Sequence, residues 1–238
     1  MSARFEELDW QETPMGELTL RRRREPTLDV DVFEVKLGDE FLMSSLFTVA
    51  EVALADLGLA AVSGNNLKVM VGGLGLGYTA VAALADSRVE SLVVIDALPT
   101  VVDWHERGLL PMSPKLTGDI RTTLVVDDFF ELMRREPTGQ YGVTKLYDAI
   151  LLDVDHSPRH PLNPSHADLY TEAGLGRLCS HLAPGGAFAL WSDDPPDEEF
   201  MGRLGAVFDN PIAHIVDFDN ALTGSVSSNT VYVGTRGA

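Results

Sequence analysis

Apolar and polar positions follow two different periods along the chain. Residues 17–43 show the two-residue period of strands, with turn signals between ELTLRRR, DVDVFEVKL and EFLMS. From Leu46 to Ala61 the apolar positions follow a helical period, and the pair Gly64-Asn65 ends that helix. The pattern therefore predicts a small N-terminal antiparallel β-hairpin unit over residues 1–44, followed by a helix that opens the main domain.

Beyond residue 65, continuous apolar runs alternate with amphipathic segments. The strand-like runs are LKVMVGG, SLVVIDA, TTLVVDD, LYDAILLDVD and AFALWS, with two closing strands near His214–Phe218 and Thr230–Gly234. Apolar strands separated by helices indicate a parallel sheet covered on both faces, and a closing pair in quick succession indicates an antiparallel edge. We therefore predict the α/β class, with a Rossmann-like, doubly wound, mostly parallel seven-stranded sheet over residues 45–238.

The composition of the chain limits the compartment in which it is expected and the partners that it is expected to bind. The chain has 238 residues, one cysteine and a net charge of −18. The single Cys179 excludes an internal disulfide framework, and no apolar run approaches the roughly 18 residues of a membrane span. The acidic N-terminus lacks the apolar core of a signal peptide. We expect a soluble, cytoplasmic protein that binds no membrane and no nucleic acid, because its negative charge repels phosphate backbones and attracts cations.

One basic run, Arg21–Arg24, interrupts this acidic composition. A phosphate or partner site is one interpretation of it. In a strand, however, the alternation of side chains would send two arginines to each face. The pattern therefore favours a solvated edge strand.

A glycine-rich segment follows the first long apolar strand and opens a helix. It reads GGLGLG and contains Gly72, Gly73, Gly75 and Gly77. Glycines are expected there because the backbone turns sharply and a ligand approaches where a Cβ would collide. The spacing through Ala80 also satisfies the dinucleotide fingerprint, so an NAD site stays open, but the tight G-x-G-x-G is similar to the loop that binds S-adenosylmethionine in methyltransferases.

Acidic residues end the strands that follow. Asp96 ends the second strand, Asp127 and Asp128 end the third, and Asp153 and Asp155 end the fourth. Because ligands of open α/β sheets bind beyond the carboxyl ends of the strands, these acids are expected to meet in one crevice, with Asp96 accepting from ribose hydroxyls. An alternative role for Asp127 or Asp128 is to cap the helix that begins at FFELMRR. The ordered set predicts a nucleoside site.

From about residue 67 to 191 the order of motifs resembles the spermidine synthase family of aminopropyltransferases, which has the class I methyltransferase fold. The matching pieces are GGLGLG, VVIDALPTVVDWH, VVDDFFELM, YDAILLDVDHSP and LAPGGAFALW, preceded by DEFLMSSLFTVAEVALA. The resemblance implies that Asp96 holds ribose, that Asp128 reads the adenine amino group with Phe129 beside it, and that Asp153 lies at the reacting centre. It also suggests a homodimer.

Three departures from the family bear on the reaction. The family's loop usually reads GGGDGG, and Gly75 stands here in place of the aspartate. The second aspartate of the family's DSSDP falls on His156, and the usual tyrosine–histidine pair is not evident in the stretch Ser44–Phe47. An aspartate at position 75 would repel the α-carboxylate of S-adenosylmethionine, whereas glycine removes that repulsion and leaves backbone N–H groups free to meet the carboxylate.

These departures favour S-adenosylmethionine as the donor, and hence methyl transfer to a small, amine-bearing acceptor. Aminopropyl transfer from decarboxylated S-adenosylmethionine is the first alternative. A non-catalytic nucleoside-binding protein is the second.

The loop after the fourth strand supplies the candidate catalytic residues Asp153, Asp155 and His156. An amine must lose a proton before it attacks a carbon beside a sulfonium. The two aspartates are expected to hold the amine, and His156 has an ordinary pKa near 6.5, which suits a general base, although it is equally interpreted as a plain loop residue. Asp153 and Tyr170 are the predicted substrate contacts. The loop has no recognised metal-ligand spacing, so no metal is predicted.

Overall fold

The structure of the chain, a computed structural model, describes residues 5–13, 15–139 and 145–238, and the strands in these ranges form two sheets. The strands are β1 (Phe5–Thr13), β2 (Gly16–Glu25), β3 (Val30–Leu37), β4 (Glu40–Ser44), β5 (Leu67–Gly72), β6 (Val89–Asp96), β7 (Thr122–Val126), β8 (Tyr147–Leu152), β9 (Leu182–Ser192), β10 (Asp209–Asn220) and β11 (Ser225–Thr235). The helices are α1 (Val49–Ala60), α2 (Tyr78–Ala85), α3 (Pro99–Glu106), α4 (Ser113–Thr117), α5 (Phe129–Met133), α6 (Glu172–Ser180) and α7 (Glu198–Val207), with a 3₁₀ helix at Pro164–Tyr170.

The larger sheet has seven strands in the order β10-β11-β9-β8-β5-β6-β7. Strands β5 to β9 pair in parallel, whereas β11 runs antiparallel to both β9 and β10. The predicted Rossmann-like, mostly parallel sheet with an antiparallel edge is therefore confirmed. The chain leaves β5 in one direction through β6 and β7 and returns to the other side of β5 at β8. The carboxyl end of β5 is consequently the switch point at which such sheets bind ligands.

Apolar side chains pack on both faces of this sheet. Val69 of β5 packs in one cluster with Leu54 of α1 and Ala80 of α2. Its neighbour Met70 points to the opposite face and packs in a second cluster with Leu175 of α6. Successive residues of β5 thus enter different clusters, as expected for a strand that is buried on both sides.

The smaller sheet is antiparallel, in the order β1-β2-β3-β4, and it ends at Ser44 as the sequence pattern indicates. Its residues Leu18, Leu20 and Val35 are buried in the same cluster as α1 and β5. The small sheet therefore shares its core with the large one. The division into units 1–44 and 45–238 stays a prediction, and residues 1–4, 14 and 140–144 of those units lie outside the described residues.

The expectation that the basic run lies on a solvated edge strand is wrong, because β2 lies between β1 and β3. Arg21 and Arg23 each donate through Nε to Glu34 at 2.7 Å, and Glu34 is buried. Strand β1 was not expected because FEELDWQET is mostly polar. Its Asp9 accepts a 2.7 Å hydrogen bond from Nε1 of the buried Trp104, which fixes the strand on α3.

Other differences from the sequence pattern are local. Helix α1 begins at Val49, three residues after the predicted start. The loop after β8 contains the 3₁₀ helix, which starts at a proline and is capped by Asn163 through the N–H of Ser165 at 2.9 Å. No helix in the described ranges is both long enough and apolar enough to span a membrane.

Candidate active site

The glycine loop joins β5 to α2 with left-handed backbone at three glycines: φ is +92° at Gly73, +46° at Gly75 and +90° at Gly77. A Cβ on Gly73 would lie 2.0 Å from the backbone oxygen of Asp153, and one on Gly75 would lie 2.9 Å from Sδ of Met43. We expected a ligand to approach the backbone at these glycines. At Gly73 and Gly75 the atoms that approach it belong to the protein itself. At position 75 the neighbour comes from β4 of the small sheet.

Asp96 holds the glycine loop in place from the end of β6. Its Oδ2 accepts from the N–H of Leu74 at 3.0 Å and of Gly75 at 3.4 Å, while Oδ1 accepts from Leu98 at 2.9 Å. Burial raises the pKa of Asp96. On the other side of the loop, Nε2 of His105 lies 2.9 Å from the Gly75 carbonyl oxygen. The premise that the Gly75 N–H is free to meet a donor carboxylate is thus not met, because Asp96 already accepts from it.

Asp128 and Phe129 follow β7, the strand that pairs with β6 at one edge of the large sheet. Asp128 is the N-cap of α5, and its Oδ1 accepts from the N–H of Phe130 at 2.8 Å and of Glu131 at 3.1 Å. The capping role considered from the sequence is confirmed. Phe129 is buried against the loop, since a Cβ on Gly72 would lie 2.7 Å from its ring.

A cavity of about 630 Å³ opens beside the glycine loop. Its walls are β4, the start of α1, the loop itself, the end of β8 and the tip of the β10–β11 hairpin. The charged or titratable lining residues other than Tyr78 are Glu51, Asp153, Asp193 and His156. Among the described residues, no lysine or arginine lines this cavity. The lining is therefore acidic, and it favours positive over negative charge in the cavity.

Asp153 lines this cavity, whereas Asp96 and Asp128, which were expected to meet it in one crevice, do not. Its Oδ2 accepts a 2.6 Å hydrogen bond from the hydroxyl of Thr79, which is the second residue of α2. Burial raises the pKa of Asp153 to about 6, against the opposing effect of the Thr79 hydrogen bond. A carboxylate with such a pKa is ionised at neutral pH and is still basic enough to take up a proton.

Glu51 is a cavity residue that the sequence reasoning missed. It lies in the first turn of α1, and burial together with the nearby Asp153 raises its pKa to about 8. The sequence did hold a signal: Glu51 precedes the buried Leu54, Ala55 and Gly58 by three, four and seven residues, which places the glutamate on the inward face of the helix.

Asp155 and Tyr170 do not line the cavity. Asp155 is buried, with Oδ1 accepting from the N–H of Leu162 at 2.7 Å and Oδ2 accepting from the Tyr170 hydroxyl at 2.6 Å. Nδ1 of His166 lies 2.8 Å from the same Oδ1, and its ring stacks on Phe130 with centroids 3.6 Å apart. Asp155 and Tyr170 therefore contact each other beneath the loop, away from Asp153 in the cavity wall. Tyr170, which the sequence predicts to contact the substrate, does not line the cavity.

His156 lies at the rim of the cavity and is about one-third exposed. Its Nε2 is 3.2 Å from Oε1 of Glu40, at the start of β4. The contact links the loop after β8 to the small sheet across the cavity mouth. No group of three or more His, Cys, Asp or Glu side chains within the described ranges is arranged to hold a metal ion.

Comparison with known proteins shows similarity in fold. No family model matches the chain, and no curated protein matches its sequence significantly. Spermidine synthase from Thermotoga maritima matches with a TM-score of 0.72 at 16% identity, over 97% of this chain and 73% of that one. A spermidine synthase in complex with the transition state analogue AdoDATO matches with a TM-score of 0.74 at 16% identity, over 97% and 74%.

Human methyltransferase-like protein 13 in complex with SAH matches less closely. The TM-score is 0.52 at 18% identity, over 79% of this chain and 80% of that chain. Both groups of neighbours have the Rossmann-like transferase fold, and the spermidine synthases align with the small N-terminal sheet as well, since nearly the whole chain is covered. The resemblance read from the sequence is confirmed as a likeness in fold.

Proposed function

We propose that this chain transfers an alkyl group from an adenosyl sulfonium donor to the nitrogen of a small, cationic amine. The observation that carries the proposal is the lining of the cavity beside the glycine loop, with three carboxylates and, among the described residues, no lysine or arginine. Such a lining stabilises an ammonium and repels an anionic acceptor.

The donor would lie across the carboxyl ends of β5, β6 and β7. In this proposal the loop glycines Gly72, Gly73, Gly75 and Gly77 flank it, Asp96 accepts from its ribose hydroxyls, and Asp128 and Phe129 meet its adenine. The residues present fit such a nucleoside, because the loop turns sharply at the switch point of the sheet. The carboxylates of Asp96 and Asp128 can accept further hydrogen bonds beside those from the backbone N–H groups that they already meet. AdoDATO and SAH, bound by two of the structural neighbours, support the same class of ligand.

When bound, the donor supplies an electrophilic carbon next to a positively charged sulfur. The amine enters the cavity as an ammonium and must lose a proton before its lone pair forms the new C–N bond. In this proposal Asp153 accepts that proton, and its hydrogen bond from Thr79 fixes its orientation. The C–S bond breaks with its electron pair on sulfur, so the sulfonium becomes a neutral thioether and charge balances.

The acidic lining favours the donor without a carboxylate, and so aminopropyl transfer. The α-carboxylate of S-adenosylmethionine would enter a cavity that holds Glu51 and Asp153, and the N–H groups of Leu74 and Gly75 are engaged by Asp96. Methyl transfer is the second candidate. Gly75 favours methyl transfer, because glycine places no carboxylate where the α-carboxylate of S-adenosylmethionine would lie. An aspartate at this position would also contact Met43.

The two reactions are separated by their nucleoside products. The purified chain is incubated with each donor and a series of alkyl amines, and the products are resolved by chromatography. Methylthioadenosine formed from the decarboxylated donor supports aminopropyl transfer, whereas S-adenosylhomocysteine formed from S-adenosylmethionine supports methyl transfer. Tight binding of methylthioadenosine with no turnover of any amine would instead support a non-catalytic nucleoside-binding protein. The homodimer stays a prediction, to be checked by light scattering.

A further inference from the structure

Two carboxylates reach the same cavity from different parts of the fold. Asp153 follows β8 and is fixed by the hydroxyl of Thr79 at 2.6 Å. Glu51 comes from the first turn of α1, on the helix face that carries the buried Leu54. The two side chains are close enough to affect each other's ionisation, and no lysine or arginine in the described ranges lines the space around them.

We propose that Glu51 and Asp153 together bind the protonated nitrogen of the acceptor, so that Glu51 is a specificity-determining residue for a cationic amine. The inference rests on the proposed function, since it assigns a second binding group to the same acceptor pocket. An ammonium offers three N–H donors, so it can donate to both carboxylates at once. Its charge also removes the repulsion between two acids held in a partly desolvated site.

Glu51 supplies a carboxylate to the cavity although the loop itself has glycine at position 75. An aspartate cannot be accommodated at Gly75 without displacing Met43 and straining a backbone with φ of +46°. A carboxylate is present in the cavity all the same, delivered by α1.

The pair also predicts how binding couples to protons. Burial and Asp153 raise the pKa of Glu51 to about 8, so near pH 7 the Glu51 carboxyl is mostly protonated. The other titratable groups that line the cavity are Tyr78, Asp193 and His156. Burial, with a smaller contribution from Glu51, raises the pKa of Tyr78 against the opposing effect of its hydrogen bond with Ser45. A bound ammonium favours the ionised glutamate, so binding should release up to one proton to solvent.

The test measures binding of the amine and of the nucleoside separately. Wild type, Glu51→Gln and Glu40→Gln are titrated calorimetrically with 1,4-diaminobutane and with methylthioadenosine, in two buffers of different ionisation enthalpy. Glu51→Gln should weaken diamine binding by about tenfold or more and abolish the proton release, because a neutral amide cannot pair with an ammonium. Binding of methylthioadenosine should stay within about twofold, since Glu51 belongs to the acceptor pocket. Glu40→Gln makes the same chemical change at the rim and should bind the diamine as wild type does.

Unchanged diamine affinity in Glu51→Gln overturns the inference, and so does a wild type that binds no diamine. If wild type binds the diamine but not methylthioadenosine, the proposed donor site fails while the role of Glu51 is still decided by the diamine titration. Glu51→Asp provides a second variant if the amide does not fold. It keeps the charge, and it should keep the proton release with an affinity between those of wild type and Glu51→Gln.

Discussion

Asp153 and Asp155 are two residues apart at the end of the same strand, yet they lie in different chemical environments. Asp153 lines the cavity, and within the described residues its side chain has one hydrogen bond to protein, from Thr79. Asp155 is buried and interacts with Leu162, His166 and Tyr170. From the sequence both were equally good candidates for holding an amine. The difference teaches that a position at the end of a strand does not by itself decide the role of an acidic residue. The role depends on which protein groups already hydrogen-bond to its carboxylate oxygens.

The energetics support this distinction. For Asp155 to turn toward a substrate, the Tyr170 hydroxyl and the Leu162 N–H would lose their acceptor, and each buried unsatisfied group costs about 1–3 kcal/mol. Asp153 can meet a ligand without such a loss because it already lies in the cavity wall. We therefore assign the chemistry to Asp153 and the anchoring of the following loop to Asp155.

The strongest test of the comparison is Asp153→Asn. The amide cannot accept a proton from the amine, so turnover should fall by about 10²–10⁴-fold. Methylthioadenosine binding should change little, because the residue faces the acceptor. Steady-state kinetics with a nucleoside titration of the same variant checks both. Turnover within threefold of wild type would remove Asp153 from the chemistry.

Asp155→Asn should show the reverse pattern. Losing the charge that accepts from Tyr170 and Leu162 and pairs with His166 should lower the free energy of unfolding by about 2–4 kcal/mol. Turnover per folded molecule should change less than tenfold. Urea denaturation and kinetics on the same preparation measure the two effects. Full stability combined with lost turnover would give Asp155 the catalytic role first expected of it.

Most of the fold followed from periodicity, because continuous apolar strands and amphipathic helices are properties of local sequence. Strand β1 did not follow, since it is held by a tertiary contact between Asp9 and Trp104 that no local pattern encodes. The candidate site divides in the same way. Asp153 was found because it ends a strand, whereas Glu51 was missed because a cavity wall built by α1 depends on how that helix packs over β8 and β9.

The loop residues illustrate the same limit. Nothing in the spacing of Asp155 and Tyr170 shows that the tyrosine hydroxyl donates to the aspartate, because the contact depends on the 3₁₀ helix between them. Gly75 was correctly singled out as unusual. Its neighbour in the structure is Met43, which comes from a different sheet and which no local pattern indicates.

A smaller effect is expected in the pH dependence of stability. Burial raises the folded-state pKa of Asp153 to about 6, and burial with Asp153 raises that of Glu51 to about 8. The native state therefore holds more protons than the unfolded chain above about pH 4, so the stability from these groups is greatest at low pH and is lost as pH rises toward 8. Scanning fluorimetry from pH 5 to 9 should show the Tm of wild type falling relative to that of Glu51→Gln as pH rises. An equal slope in both proteins would contradict the raised pKa of Glu51.

The smallest effect should come from His156→Ala, although His156 is next to Asp155 in sequence and lines the same cavity as Asp153. Its contact with Glu40 is partly exposed, and exposed polar contacts of this kind contribute about 0–1 kcal/mol. We expect the free energy of unfolding to stay within about 1 kcal/mol and turnover to stay within about tenfold of wild type, checked by urea denaturation and kinetics. A loss of turnover as large as that of Asp153→Asn, with stability intact, would instead make His156 the general base. Asp153 would then only hold the amine, and His156 at the rim of the cavity would remove its proton.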